Sequence, residues 1–341
     1  MPSPYSGLVN VSFQNAQGVL LQSERQRLYE LLPKIYIGDE RMGVKSTTYR
    51  LKRINEVLKT GRVRERKPGQ KPHRGNPPDV DTITVTPRQY ESDFGEILLP
   101  ADEEDITLQL DEDMGLHLDQ FELALDNHVV DFLTDTTYFE STAIGGTGAL
   151  DAYNADVKPS LSIDAGRRAY APYRRLGRFS EEAFIEIEVA KVLARYPDYQ
   201  NSAMYDNRGQ KMDGIDAFKA AFKKAHPGVA EVHVFDGGID EADDGTSSSP
   251  QRFGAGTFTI GLFDRAADGR VLKEGKANVP YGIDGAGVIA WSRDIMARDW
   301  EDGEAEAFLH AVVAAYEIYS PRYRANGIKL GITIPSSEIF T

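Results

Sequence analysis

Between residues 108 and 135, apolar side chains recur with the period of an α-helix. Steps of three and four residues place them on a single face, which is typical of a helix that packs on a core. The stripe consists of Leu110, Met114, Leu118, Phe121, Leu125, Val129 and Phe132. Four acids, Asp119, Glu122, Asp126 and Asp131, are expected on the opposite face. The pattern therefore predicts a long helix with one buried face and one acidic, solvated face.

A different pattern, alternation of apolar and polar residues, occurs on both sides of a polar segment nearer the start of the chain. Residues 47–54 and 81–99 alternate, which predicts two strands of a long hairpin. The segment between them carries prolines at 68, 72, 77 and 78, which predict an extended, irregular tip. Because a two-stranded arm with a polar tip buries little apolar surface, we expect it to lie on a second surface.

The second half of the chain mixes helical and strand patterns after a glycine-rich connection at residues 142–154. Helices are predicted from an N-cap at Ser180 to a stop at Pro197, and again over residues 213–228. Strands are predicted over residues 229–235, 256–264 and 287–295. Residues 304–335 begin with an alternating run that favours a strand, although its alanines also permit a helix. This mixture predicts an α+β domain with a central sheet.

Charge is segregated along a chain whose formal net charge is -14. Residues 50–74 hold ten Lys/Arg and two Glu, a net charge of +8, whereas residues 89–157 hold eighteen Asp/Glu and no Lys or Arg. Two blocks of this kind are either unrelated solvated surfaces or complementary surfaces that meet. The hairpin needs a surface to lie on, so we favour the second interpretation, with the acidic block of the same chain or of an identical neighbour as the partner.

Composition narrows the class of protein. The chain has 341 residues, 41% of them hydrophobic and 27% charged, which is typical of a soluble globular protein, and no apolar run has the length of a membrane span. We expect an intracellular product without membrane contact. Cysteine is absent, which excludes disulfides, thiolate metal sites and cysteine nucleophiles.

No motif predicts catalysis, a cofactor or a metal. Residues 145–150 (GGTGAL) lack the third glycine of a dinucleotide fingerprint, and no serine lies in a G-x-S-x-G elbow. The six histidines include no pair at metal-binding helical spacing, and residues 240–245 (DEADDG) have Ala242 where a calcium loop needs an oxygen ligand. We therefore expect a protein that is not an enzyme. Nucleic-acid binding by the basic segment remains an alternative, although that segment has no aromatic side chain on which bases could stack.

The order of these elements resembles a known family. Three stretches carry the resemblance: residues 30–54 entering the hairpin, residues 90–135 returning into the long helix, and residues 160–197 entering the second half. Together they resemble the major capsid proteins of tailed phages, which have the Hong Kong 97-type capsid fold that encapsulins share. The likeness rests on the order and texture of elements over nearly the whole chain.

The resemblance implies an α+β fold with five parts. These are an N-terminal arm and entry into the peripheral domain (1–47), an extended loop formed by the basic hairpin (48–99), a peripheral domain (100–161) with a spine helix (108–135), an axial domain (162–299), and C-terminal return strands (300–341). In this family, extended loops lie across the peripheral domain of a neighbouring subunit. The implied interface residues are Arg62, Arg64, Arg66, Lys67, Lys71 and Arg74 of the loop, with Asp111, Asp113, Asp119, Glu122 and Asp126 of the helix.

The resemblance also implies a function. It indicates a structural protein, not an enzyme, that assembles as pentamers and hexamers into an icosahedral shell around packaged double-stranded DNA, which it contacts without sequence specificity. The implied location is the virion capsid, assembled in the host cytoplasm, and the implied partners are identical subunits and separate scaffolding, portal and decoration proteins. Two alternatives stay open: an encapsulin-like nanocompartment shell, and a nucleic-acid-binding oligomer that acts through residues 61–74.

Overall fold

The computed structural model describes residues 6–22, 27–37, 47–52, 68, 80–99, 103–143, 179–194, 199, 214–239, 251–252, 254, 256–264, 272–273, 285–302, 307–320 and 327–331. Five helices lie in these ranges: α1 (Ser6–Gln22), α2 (Leu28–Leu31), α3 (Glu103–Thr134), α4 (Ile187–Ala194) and α5 (Gly214–Ala225). The first strands are β1 (Lys34–Tyr36), β2 (Thr47–Lys52), β3 (Val80–Val85), β4 (Arg88–Glu91), β5 (Gly95–Leu98), β6 (Glu140–Ala143) and β7 (Phe179–Glu186). The remaining strands are β8 (Glu231–Phe235), β9 (Gly238–Ile239), β10 (Gln251–Arg252), β11 (Thr257–Asp264), β12 (Leu272–Lys273), β13 (Val288–Asp302), β14 (Ala307–Tyr319) and β15 (Gly327–Gly331).

The first sheet lies under α3. Its strand order is β12-β1-β13-β14-β4. Strand β5 also pairs with β14, at residues 307–310, next to the part of β14 that pairs with β4. The long strands β13 and β14 are antiparallel, with Val288 opposite Tyr319 at one end and Asp302 opposite Ala307 at the other. The buried stripe of α3, the helix α1 and one face of this sheet share a single core. The β14 strand is confirmed for the segment whose alanines also permitted a helix.

The second sheet has the order β6-β15-β11-β7-β8 and packs against α4 and α5. Its core holds Phe218 and Phe222 of α5 against Phe258 of β11. Helix α5 and strands β8 and β11 occupy the positions that the sequence predicts. A hydroxyl connects the two layers, because Thr259 Oγ1 of this sheet donates a hydrogen bond to the backbone oxygen of Leu133 at the end of α3, at 2.9 Å.

The hairpin prediction is confirmed in part. Strands β2 and β3 are antiparallel, with Thr47 opposite Val85 and Lys52 opposite Val80. The segment after β3 does not continue this pairing, because β4 and β5 join β14 instead. The arm therefore ends at Val85, and residues 88–98 belong to the first sheet. The tip of the hairpin lies outside the described residues, apart from Pro68.

The helix predicted from Ser180 is wrong for its first part. Residues Phe179–Glu186 form β7, which lies between β11 and β8, and residues 181–186 are buried whichever face of the sheet they lie on. The helix begins only at Ile187, and its cap is Glu186 and not Ser180. Glu186 Oε2 accepts hydrogen bonds from the backbone N–H groups of Glu188 and Val189, at 3.1 and 3.2 Å. A carboxylate at the start of a helix accepts hydrogen bonds from the free N–H groups of the first turn. Its negative charge also interacts favourably with the positive end of the helix dipole.

The predicted axial domain, residues 162–299, stays a prediction, and the sheets bear on where its boundary could lie. Strand β13 runs from Val288 to Asp302 and pairs with β14 and β1 in the first sheet, so a boundary at residue 299 would cut through a strand that packs with α3. In return, β6 and β15 join the second sheet. The chain thus crosses between the two layers more than once.

Candidate subunit interface on the long helix

Helix α3 has 32 residues and begins five residues earlier than predicted. At 1.5 Å per residue it is about 48 Å long. All seven stripe residues are buried, and Ile106 extends the stripe by one more step of four towards the start. Among the described helices, none is both long enough and apolar enough to cross a membrane. One face of α3 is therefore fixed by the core, and the other faces decide what the helix can bind.

A buried polar network joins one flank of α3 to the segment that precedes β1. Arg27, only 6% exposed, places Nη2 at 2.6 Å from Glu122 Oε2 and at 3.2 Å from Asp119 Oδ1. The Tyr29 hydroxyl donates to Glu122 Oε1 and the Tyr29 backbone N–H donates to Asp126 Oδ1, both at 3.0 Å. Burial raises the pKa of Glu122, although Arg27 opposes this shift. The network stabilises the N-terminal segment on α3 within one chain.

This network corrects the assignment of the acidic face. Glu122 and Asp126 were expected to be solvated, but they are buried and their carboxylates are held by Arg27 and Tyr29 of the same chain. The sequence signal misled because both acids follow helical spacing, whereas their partners lie more than 90 residues away. Asp119 is half exposed while it contacts Arg27.

The outward surface of α3 lies nearer its start. Exposed acids there are Glu104, Asp105, Asp111 and Glu112, and no Lys or Arg occurs anywhere in the helix sequence. Two leucines interrupt these acids: Leu108 is 62% exposed and Leu116 is 57% exposed. Exposed large apolar side chains beside charged ones are typical of a surface that contacts another protein. We call residues 104–116 the acidic face of α3. The sequence pattern did not identify these two leucines as candidate contact residues. The feature that could have identified them is that they lie off the apolar stripe formed by Leu110, Met114 and Leu118.

Other exposed apolar side chains lie near the edge of the first sheet. Phe94 and Leu98, which flank or belong to β5, are mostly exposed, and the Phe94 ring meets Trp300 edge-on at 6.4 Å. The Arg298 guanidinium lies over the Trp300 ring, 5.5 Å from its centroid, and 3.7 Å from Glu91 Oε1. This corner gives the sheet an aromatic surface close to the acidic face of α3.

A histidine cluster lies beneath the acidic face. His117 of α3 and His310 of β14 are buried, and their ring centroids are 5.7 Å apart at 66°. Asp113 Oδ2 lies 3.2 Å from His310 Nε2. Burial lowers the pKa of both imidazoles, and Asp113 partly offsets the shift. Asp113 therefore faces inward on one side and is only partly available to a partner.

A second histidine of α3 has a defined partner. His128 Nδ1 is 2.6 Å from the Tyr316 hydroxyl, and the Tyr90 ring stacks on Tyr316 with centroids 4.5 Å apart. Burial lowers the pKa of His128. His117 and His128 both pack against β14, His117 through His310 and His128 through Tyr316. In the described part of the chain, no group of three or more His, Asp or Glu side chains is arranged to hold a metal.

The predicted interface residues of the loop, Arg62, Arg64, Arg66, Lys67, Lys71 and Arg74, all lie outside the described residues. The docking of the loop on an acidic surface therefore stays a prediction. On the helix side, Asp111 is exposed, Asp113 and Asp119 are partly exposed, and Glu122 and Asp126 are buried. The structure thus brings the five predicted helix acids onto one helix but divides them between an outward surface and an internal network.

Comparisons with known proteins find a similarity in fold but none in sequence. No protein-family model matches the sequence. No curated protein matches it either. Solved structures do resemble it. A phage-related protein from Bordetella bronchiseptica RB50 has a TM-score of 0.56 at 12% identity, over 94% of this chain and 95% of that one.

Two further structures are less similar. The mature capsid of bacteriophage PhiM1 has a TM-score of 0.48 at 12% identity, over 92% of this chain and 89% of that one. A virus-like particle from Pyrococcus furiosus has a TM-score of 0.48 at 9% identity, over 96% of this chain and all of that one (100%). The likeness at 0.56 is enough to show a common fold. The chain therefore has the mixed α+β fold of a phage-related protein, and the resemblance predicted from the sequence is confirmed at the level of the fold.

Proposed function

We propose that this chain is a shell-forming capsid subunit, which assembles as pentamers and hexamers into an icosahedral shell around double-stranded DNA. The single observation that carries the proposal is the acidic face of α3, where exposed acids surround Leu108 and Leu116. A monomer gains nothing by exposing two leucines on a helix whose apolar stripe is buried. A neighbouring subunit that covers them gains apolar burial and charge pairing together.

The occupant that we propose for this face is the basic loop of an adjacent copy. The loop supplies the positive charge that α3 lacks, since residues 50–74 carry a net charge of +8. One exposed ion pair contributes only about 0–1 kcal/mol, but a set repeated at every contact of a closed shell fixes the register of neighbours. Asp111 and the partly exposed Asp113 and Asp119 are the proposed contacts, whereas buried Glu122 and Asp126 hold the chain's own N-terminal segment.

In the proposed subunit, the first sheet with α1 and α3 forms the peripheral domain, and the second sheet with α4 and α5 forms the axial domain. Strand β13 moves to the peripheral domain because it pairs with β14. We propose the virion capsid as the location, assembled in the host cytoplasm. Scaffolding, portal and decoration proteins are proposed as separate partners. The net charge of -14 suits a container that must release DNA, because a strongly basic lining would bind phosphate tightly.

Charge reversal with rescue tests the proposal. The variant R62E/R64E/R66E/K67E should fold but fail to form large particles in negative-stain images and in size-exclusion chromatography with light scattering. Adding D111K/E112K to that variant should restore particles in part, because the opposite charges are then exchanged. The reversal K223E/K224E on α5 changes the same kind of residue away from α3 and is the matched control.

Four outcomes would count against the proposal. Normal particles from the loop variant would show that the loop charges are not needed for assembly. A parent chain that stays monomeric at working concentration would show that it does not form a shell. A small oligomer with salt-dependent DNA affinity would indicate the nucleic-acid-binding alternative. Particles that contain protein and no nuclease-protected DNA would indicate an encapsulin-like compartment.

A further inference from the structure

We propose that His117 and His310 form an acid-sensitive latch, which holds the N-terminal half of α3 and the edge strand β5 against β14 at neutral pH and loosens this contact when both rings are protonated. The inference concerns the folded subunit itself. It holds whether or not the subunit assembles into a shell, so it goes beyond the proposed function.

The geometry places the two rings at the contact between three elements. His117 belongs to α3, and His310 belongs to β14, where it pairs with Gly95 of β5. His310 is completely buried, and its ring stacks on Phe308 with centroids 6.0 Å apart. A Cβ on Gly95 would lie 2.3 Å from His310 Nε2, so β5 approaches the ring as closely as only glycine permits. Any movement of His310 therefore shifts β5, and any movement of His117 shifts α3.

Only one of the two rings has a polar partner. Both ring nitrogens of His117 are buried without a hydrogen-bond partner among the described residues. His310 has one polar contact, the Asp113 carboxylate, whose Oδ2 lies 3.2 Å from His310 Nε2. The buried histidines elsewhere differ, because His226 is bonded to Tyr199 and His233 to Glu182. Two neutral imidazoles in contact are compatible with a packed core, whereas two cations at this distance repel each other.

The charged groups that face the pair come from each packed element. Asp113 of α3 favours protonation of both rings, Asp93 in the β4–β5 connection favours protonation of His117, and His117 disfavours protonation of His310. Asp299 of β13 lies directly opposite His310 in the strand register. His128 lies eleven residues further along α3, bonded to Tyr316, and belongs to the other half of the helix. The acids do not cancel the effect of burial, because the net shift lowers the pKa of both rings.

The sign of the pH dependence follows from this shift. In the opened state the rings meet water and titrate near pH 6.5, their ordinary value. In the packed state their pKa is lower, so between the two values the opened state binds more protons and acid favours opening. The contact is fully stable above pH 6.5 and loses stability as the pH falls below it. Each ring contributes up to about tenfold in the opening equilibrium between pH 7.5 and 5.5, and the pair up to about 100-fold.

Hydrogen exchange with mass spectrometry on the full chain measures the opening. Peptides that cover residues 95–98 and 103–118 should open up to about 100-fold more at pH 5.5 than at pH 7.5, after correction for intrinsic exchange. The variant H117Q/H310Q should reduce this ratio to near one, and H117Q alone to about tenfold. The variant H226Q, in the second core, should keep the parental ratio and is the matched control.

Replacing Asp113 should change the acid response in the opposite direction from the histidine substitutions. Because its carboxylate raises the pKa of both rings, D113N should lower their packed pKa further and extend the acid response to lower pH. A purely structural role for the histidines would not produce this opposite effect. The latch is refuted if H117Q/H310Q retains the parental ratio, or if D113N weakens the response. If the double variant does not fold, H117Q and D113N decide the question with the same readout.

Discussion

Replacing Arg27 by methionine should destabilise the first core strongly, because it leaves a buried carboxylate without its cation. Arg27 is 6% exposed and lies 2.6 Å from Glu122 Oε2. Methionine keeps much of the length of the side chain, so the loss is mainly the charge. Glu122 then retains one donor, the Tyr29 hydroxyl at 3.0 Å.

The magnitude follows from the burial of the pair. Breaking a buried ion pair by removing one partner costs about 3–5 kcal/mol, because the remaining charge is uncompensated. A typical protein has only about 5–15 kcal/mol of stability in total, so this loss raises the unfolded fraction about 10²- to 10⁴-fold. A pair of similar length whose cation is exposed is the matched control. Lys191 Nζ lies 2.8 Å from Glu188 Oε1 at the surface of α4, and K191M should cost about 0–0.5 kcal/mol.

The pH dependence makes the test specific. Burial already raises the pKa of Glu122, and the loss of Arg27 raises it further. A group whose folded pKa exceeds its unfolded value binds protons preferentially in the folded state, so acid compensates the defect. The deficit of R27M relative to the parent should therefore be largest near pH 8 and shrink towards pH 5.

Denaturant unfolding measures both quantities through the fluorescence of Trp291, which packs edge-on against Tyr29 at 6.4 Å in the same core. A loss below 1 kcal/mol at pH 8, similar to that of K191M, would refute the buried-pair argument. If the loss of stability in R27M increased as the pH falls, the uncompensated charge would not be that of Glu122.

Two glycine-to-alanine substitutions should have opposite effects on the same assay. Gly115 lies inside α3 with nothing within 4 Å of an added Cβ, so G115A should stabilise by about 0.5–1 kcal/mol through helix propensity, and a lower denaturation midpoint would contradict this. Gly254 has a φ of 67° and an added Cβ would lie 2.6 Å from Val130 Cγ1, so G254A should destabilise by about 1–3 kcal/mol through backbone strain and overpacking. An unchanged midpoint for G254A would show that this contact relaxes without cost.

The elements that the sequence predicts well are those whose signal is local. The seven-residue stripe of α3 is buried as its period of three and four requires, and α5 and β11 are found where their own patterns place them. The period of a helix is a property of consecutive residues, so no distant partner is needed to recognise it. Of the five helix acids predicted at the interface, Asp111 is exposed and Glu122 and Asp126 are buried, and the docking of the loop on this helix stays a prediction.

The predictions that fail depend on distant neighbours. Residues 180–186 were expected to be helical, but they lie in a strand between β11 and β8, and residues 181–186 are all buried, which removes the alternation that marks a half-exposed strand. Glu122 and Asp126 have the spacing of solvated acids, and only the fold brings Arg27 and Tyr29 to them. Strands β4 and β5 pair with β14, more than 200 residues downstream. A periodic pattern cannot report partners at such a separation.

The position of β14 has a consequence for how the protein is made. This strand lies between β13 and the β4–β5 edge and contributes Phe308, Val312, Ala314 and Tyr316 to the core under α3. During synthesis, α1, β1 and α3 leave the ribosome long before residues 307–319 exist, so their apolar faces stay uncovered until then. Contacts this distant in sequence form slowly, and uncovered strands attract other chains in the meantime. The core under α3 therefore closes only after residues 307–319 have been made, and its closure depends on contacts between residues that are far apart in sequence.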